Sequence, residues 1–133
     1  MFRKATAALL FCAALATFGA CKKETTTTLA ATTAKVTYKA VAENVSSYSL
    51  VYKDASGTEQ TYTSSGPGEW SVDLTVTKPF SAMIAATGVK ANPDPYEMMV
   101  LKVTIQQNGV DIAGQNVNTN YESYTVDADE IVK

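Results

Sequence analysis

From Lys35 onward, apolar side chains recur at every second position along most of the chain. This periodicity constrains the fold more than any other feature. Successive side chains of a strand point to opposite faces, so a period of two sends one row to a core and the other to water. Residues 35–42 alternate Val36, Tyr38 and Ala40 with Thr37 and Lys39, and Tyr48, Leu50 and Tyr52 alternate with Ser49, Val51 and Lys53. The cleanest row is Trp70, Val72, Leu74 and Val76, set against Ser71, Asp73, Thr75 and Thr77. Phe80, Ala82, Ile84 and Ala86 make the next, ending near Gly88, and Met99, Leu101, Val103 and Ile105 make the longest. Residues 58–64 read as a short polar strand around Tyr62, and 110–117 as a strand pairing back on 98–107. Residues 121–126 close the set, with Asp127, Asp129 and Glu130 as a solvated acidic tail.

Turn chemistry separates these rows. Asp54-Ala55-Ser56-Gly57, Ser65-Gly66-Pro67-Gly68, Lys78-Pro79 and Asn92-Pro93-Asp94-Pro95 each interrupt an extended run. Asn108-Gly109 between two apolar runs is the strongest hairpin signal, because both residues tolerate the positive φ of a type I′ turn. Short strands with turns every ~8–12 residues predict an all-β, immunoglobulin-like antiparallel β-sandwich of about seven or eight strands over residues 35–133. A small closed barrel is the competing architecture. Trp70, as the largest side chain of the cleanest strand, is expected at the centre of the core.

The opening of the chain sets the compartment. Met1-Phe2-Arg3-Lys4 is followed by an apolar run from Ala5 to Phe18, then Gly19-Ala20-Cys21 and the polar Lys22-Lys23-Glu24. A basic start, an apolar run of about 14 residues and small residues before a break describe an export signal over residues 1–20. The run is shorter than the ~18–20 residues of a membrane-crossing helix. Phe18-Gly19-Ala20-Cys21 resembles the lipobox of bacterial lipoproteins, in which the cysteine thiol is joined to diacylglycerol and the chain is cut before it. The resemblance implies lipidation of Cys21, a membrane-held protein of the bacterial cell envelope, and loss of Cys12 with the leader. The alternative is an ordinary secretory signal with an incidental cysteine. Residues 21–34, rich in Thr and Ala, read as the acylated cysteine and a flexible tether reaching about 20 Å as a random coil. Lys22 stands where an aspartate retains many lipoproteins at the inner membrane, which points to the outer one.

Composition removes several functions. The chain has no histidine, two cysteines, a formal charge of −2 and a pI near 5.0. Without His, the commonest base near neutral pH and the commonest metal ligand are absent. An acidic balance gives nothing to displace the counterions of a phosphate backbone, so no nucleic-acid partner is expected. The serines and threonines have no adjacent base and no Ser-x-x-Lys pattern, and Glu43, Asp73, Asp94, Glu97 and Asp111 stand singly. No catalytic residue, cofactor or metal ligand is assigned, and no enzymatic activity is expected. Two oxygen-rich clusters are the candidates for calcium, Asn92 with Asp94 and Glu97, and Asp127 with Asp129 and Glu130. Neither has the spacing of a calcium loop. Tyr96, Tyr121 and Tyr124, near loops or the last strand, are candidates for recognition. The amides of residues 106–120 offer a further polar face.

The order of features adds a resemblance. Val36-Thr37-Tyr38 opens the first strand, Leu50-Val51-Tyr52-Lys53-Asp54 runs into a glycine turn, and Pro67-Gly68-Glu69-Trp70 precedes the alternating strand. The run Val103-Thr104-Ile105-Gln106-Gln107-Asn108-Gly109-Val110 makes the hairpin. Over roughly 35–126 this resembles the soluble domain of the mycobacterial membrane protein small (MmpS) family, with a lipobox in place of that family's transmembrane anchor. The resemblance implies a small β-sandwich that serves as an accessory to an envelope exporter. The sequence reading is therefore a non-catalytic, lipid-anchored interaction module with an envelope protein partner. The alternative is a module that binds a small ligand: glycan, peptide or lipid.

Overall fold

The computed structural model describes residues 32–133, none of them helical. They form eight strands: β1 (Thr33–Glu43), β2 (Val45–Lys53), β3 (Glu59–Ser64), β4 (Gly68–Thr77), β5 (Phe80–Lys90), β6 (Met99–Gln107), β7 (Val110–Thr119) and β8 (Ser123–Val132). One sheet has the order β4-β1-β6-β7 and the other β3-β2-β5-β8, with every pair antiparallel. Hydrogen bonding stops at four edge strands, so the molecule is a two-sheet sandwich and not a barrel. The signal peptide over 1–20, Cys21 and the tether up to residue 31 lie outside the described residues.

The predicted rows face inward. Val36, Tyr38, Leu50, Ile84, Met99, Leu101, Val103 and Ile105 are fully buried. Burial of each such side chain contributes roughly 1.5–3 kcal/mol against the entropy of ordering the chain. The sheets approach most closely where β5 and β8 face β6 and β7. Beside Phe80 and Ile84, the inward row of β5 holds small residues, Ala82, Ala86 and Gly88. A Cβ on Gly88 would lie 2.8 Å from Leu101 Cδ2 and 2.9 Å from Met99 Sδ. Across the sandwich, Tyr38 donates area from β1 while its hydroxyl accepts the N–H of Met83 on β5 at 3.3 Å. Burial raises the Tyr38 pKa above its ordinary value of 10.0, opposed by that hydrogen bond, so the phenol stays neutral.

Local chemistry closes the turns. Asn108 and Gly109 adopt φ of 50° and 86°, the left-handed pair a type I′ hairpin requires. Asn108 also extends the ladder to β1: its N–H donates to the Lys35 carbonyl at 2.8 Å, and its Oδ1 accepts the Lys35 N–H at 3.0 Å. Asn44, with φ of 55°, alone joins β1 to β2, and its side-chain amide donates to the Met98 carbonyl at 2.7 Å.

Three expectations need correction. Trp70 is half-buried, not central, because β4 is an edge strand and the centre of its sheet belongs to β1, whose Tyr38 is fully buried. The tether assigned to 21–34 loses its last two residues: β1 begins at Thr33, which pairs with Thr77, and Ala34 is in the core. The acidic tail is strand. β8 continues to Val132, which pairs with Phe80, and Val126, Ala128 and Val132 are buried while Asp127 and Asp129 face water.

Candidate functional site

Strand direction gives the domain two unlike ends. Antiparallel pairing and the one-residue β1–β2 link put Asn44 and loops 65–67, 91–98 and 120–122 at one end. Thr32, turns 54–58 and 78–79, the Asn108-Gly109 hairpin and Lys133 lie at the other. Hydrogen bonds tie each end together. At the loop end Ala91 N–H donates to Asn44 C=O at 3.0 Å, and Lys90 N–H to Glu122 C=O at 2.8 Å. At the opposite end Lys78 N–H donates to Thr32 C=O at 2.7 Å, and Gln107 Nε2 to Lys133 C=O at 3.1 Å. Eleven strand residues at ~3.3 Å each separate the ends of β1 by about 35 Å.

The loop end gathers most of the exposed aromatic surface, while Val110 and Ile131 are exposed at the opposite end. Tyr96 is 91% and Tyr121 63% exposed, with Met98 and Val89 also open to solvent. Tyr121 stacks on Tyr124, the rings 6.0 Å apart and 15° from parallel. Between loops 91–98 and 120–122 lies a cleft of about 230 Å³, lined by Val89, Lys90, Asn92, Pro93, Asn120 and Glu122. Two of its four polar side chains are already engaged. Asn92 Oδ1 accepts the Asp94 N–H at 3.1 Å, its amide donates to Glu97 Oε2 at 3.2 Å, and the Lys90 ammonium donates to the Asp94 carbonyl. The side chains of Asn120 and Glu122 make no hydrogen bond among the described residues.

A second feature is the open seam between edge strands β3 and β4, which five rings fill in a connected series. Tyr38 and Tyr52 are 5.8 Å apart, Tyr52 and Trp70 4.9 Å, Trp70 and Tyr62 5.8 Å, and Tyr62 and Tyr48 6.2 Å. Burial and the neighbouring Tyr62 raise the Tyr48 pKa, so this ring is a neutral packing group. A third is the outer face of the β3-β2-β5-β8 sheet. Thr63, Ser49, Thr87 and Thr125 lie in register across its four strands, above a shallow depression of about 560 Å³.

Tyr96, Tyr121 and Tyr124 are thus brought to one end, as a recognition surface requires. The two oxygen-rich clusters do not form cages. Asn92, Asp94 and Glu97 cap their own loop, Asp94 Oδ1 accepting the Tyr96 N–H at 2.9 Å. Asp127 and Asp129 share one face of β8 while Glu130 lies on the other, and no group of three His, Cys, Asp or Glu converges among the described residues. In residues 106–120, the Gln106 amide donates to Asp111 Oδ1 at 2.6 Å across the hairpin. Asn120 closes the amide-rich segment 106–120 read from the sequence, whereas Glu122 is not singled out there; the signal for it is a polar residue beside an exposed tyrosine in a short loop. Two carboxyls are held below their ordinary range. Asp54, bonded first by the Ser56 hydroxyl and also by Gln60 and the Ser56 and Thr58 N–H groups, is pulled down to about 2. Asp73 is lowered by hydrogen bonds from Lys35 and Thr37, the Lys35 pair spanning 2.7 Å.

No family model matches this chain, and no curated protein matches it. Among the described residues no helix is long and apolar enough to cross a membrane.

Proposed function

We propose that this chain is a non-catalytic lipoprotein of a bacterial cell envelope, anchored through acylated Cys21, that displays its β-sandwich to a protein partner. What supports this reading is the polarity of the domain. Whatever precedes Thr32 joins at one end, while Tyr96, Met98, Tyr121 and Tyr124 crown the other, about 35 Å away along β1. Exposed tyrosines bring contact area at low conformational cost and a hydroxyl to orient it. Two or three acyl chains hold a protein firmly, where one is marginal, and tethering raises the effective concentration of the displayed end at neighbouring membrane proteins. The partner class is an envelope transport assembly, as the resemblance to the MmpS family implies, and the outer membrane is the expected location.

The test is photo-cross-linking in the native envelope, with the reactive group placed in turn at Tyr96, Tyr121 and, on the opposite end, Ser56. We expect a defined envelope protein from the first two positions and not from Ser56, with mass spectrometry showing a diacylglyceryl thioether on Cys21. An unmodified Cys21 thiol, or equal capture from all three positions, overturns the proposal. A second reading, small-ligand capture, is favoured by the cleft between loops 91–98 and 120–122, whose Asn120 and Glu122 side chains make no hydrogen bond among the described residues.

A further inference from the structure

We infer that the cleft at the loop end binds an uncharged oligosaccharide, with Asn120 and Glu122 as its hydrogen-bonding residues. This deepens the ligand-capture reading and rests on it, and it is independent of the anchor. The chemistry of the rim excludes the other ligand classes in turn. Capture of a peptide by strand addition needs free backbone rungs. Here they are spent: Lys90 N–H is given to Glu122 C=O, and Ala91 N–H to Asn44 C=O. An anionic ligand needs a net positive rim, and here the Lys90 ammonium, which already donates to the Asp94 carbonyl, is offset by the carboxylate of Glu122 in the same lining. A lipid tail needs an apolar tunnel, and this cleft of about 230 Å³ is lined by four polar residues beside Val89 and Pro93.

A neutral sugar fits what is left. It offers hydroxyls that donate and accept, and C–H faces that pack on apolar surface. Asn120 supplies two donors and an acceptor, Glu122 accepts only, and Pro93 and Val89 supply apolar walls. The volume lies below the ~300 Å³ at which pockets for drug-sized molecules begin, so the cleft accommodates one or two rings. Tyr121 stands between Asn120 and Glu122 in the chain. Its exposed ring, stacked on Tyr124, gives a longer glycan a flat apolar face on the same loop.

The experiment uses the full chain in a zwitterionic detergent without a sugar headgroup. Tetrasaccharides of glucose, mannose and N-acetylglucosamine are titrated separately to about 10 mM while amide resonances are followed by NMR. At least one sugar is expected to give saturable shifts confined to residues 89–93 and 120–124. Asn120→Ala and Glu122→Gln, both in an exposed loop, are each expected to weaken binding about fivefold or more with the remaining spectrum unchanged. Saturable binding that neither substitution weakens overturns the assignment. If a proline-rich peptide saturates these resonances and no sugar does, the loop end is a ligand site but not a glycan site. If neither binds, the ligand-capture reading falls as well, while anchoring is judged separately by the state of Cys21.

Discussion

Single residues hold the turns of this molecule, and Asp54 is the clearest case. Its Oδ1 accepts the Ser56 hydroxyl at 2.6 Å, the Ser56 N–H at 2.8 Å and the Thr58 N–H at 3.1 Å, and its Oδ2 accepts Gln60 Nε2 at 2.8 Å. All four donors favour the ionised form, so the folded carboxyl titrates at about 2 against an ordinary 3.8. The sign follows from linkage. The folded state binds this proton less readily than the unfolded state, so the stabilisation is complete above pH 3.8 and is lost as pH falls through about 2. Asp54→Asn is therefore expected to flatten the decline of the thermal midpoint over that interval. An unchanged acid profile in the variant would mean that the turn does not depend on the charge.

At the scale of elements, position in the sheet decides what a large side chain is worth. Tyr38 lies on β1, flanked by β4 and β6 and fully buried, while Trp70 lies on edge strand β4 and closes the aromatic seam with Tyr52 and Tyr62. Truncating a fully buried aromatic to Ala costs about 3–5 kcal/mol, so Tyr38→Ala is expected in that range. Trp70→Ala, which leaves less of a cavity at a half-exposed rim, is expected to cost about half as much. Urea denaturation of the two variants checks the order, and a Trp70→Ala loss equal to that of Tyr38→Ala would restore Trp70 to the centre. The same contrast explains what the sequence could reveal. Alternation identified the inward rows of β1, β2, β4, β5 and β6, and Asn108-Gly109 identified the hairpin, because those are local signals. Which strand lies at an edge depends on pairings such as β1 with β4 and β6, which join residues far apart in the chain. The full length of β8 is hidden in the sequence for a related reason. Its inward row Val126, Ala128, Val132 is interrupted by the exposed Glu130, and only the pairing of Val132 with Phe80 gives the last residues their place. The cleft is a product of two loops, 91–98 and 120–122, meeting in space, and neither loop announces the other.

For the whole molecule, the arrangement of ends governs where the chain can be changed without loss of function. The first strand begins and the last strand ends at the end opposite the tyrosines: Thr33 pairs with Thr77, and Lys133 C=O accepts Gln107 Nε2 from the strand beside β1. A folded reporter domain appended after Lys133 therefore extends away from loops 91–98 and 120–122. The same domain inserted between Pro93 and Asp94 enters the exposed loop that borders the cleft. Both changes spare the core, since exposed loop tips and termini tolerate insertion, so neither is expected to lower the thermal midpoint of the sandwich by more than a few degrees. Their functional effects are expected to differ sharply. Cross-linking from Tyr121 survives the terminal fusion and is abolished by the loop insertion. The outcome follows from geometry alone, because the two proteins carry the same added mass and the same anchor. Equal loss in both would mean that bulk anywhere on the domain blocks the partner, and the displayed end would then be no more than the far side of a passive body.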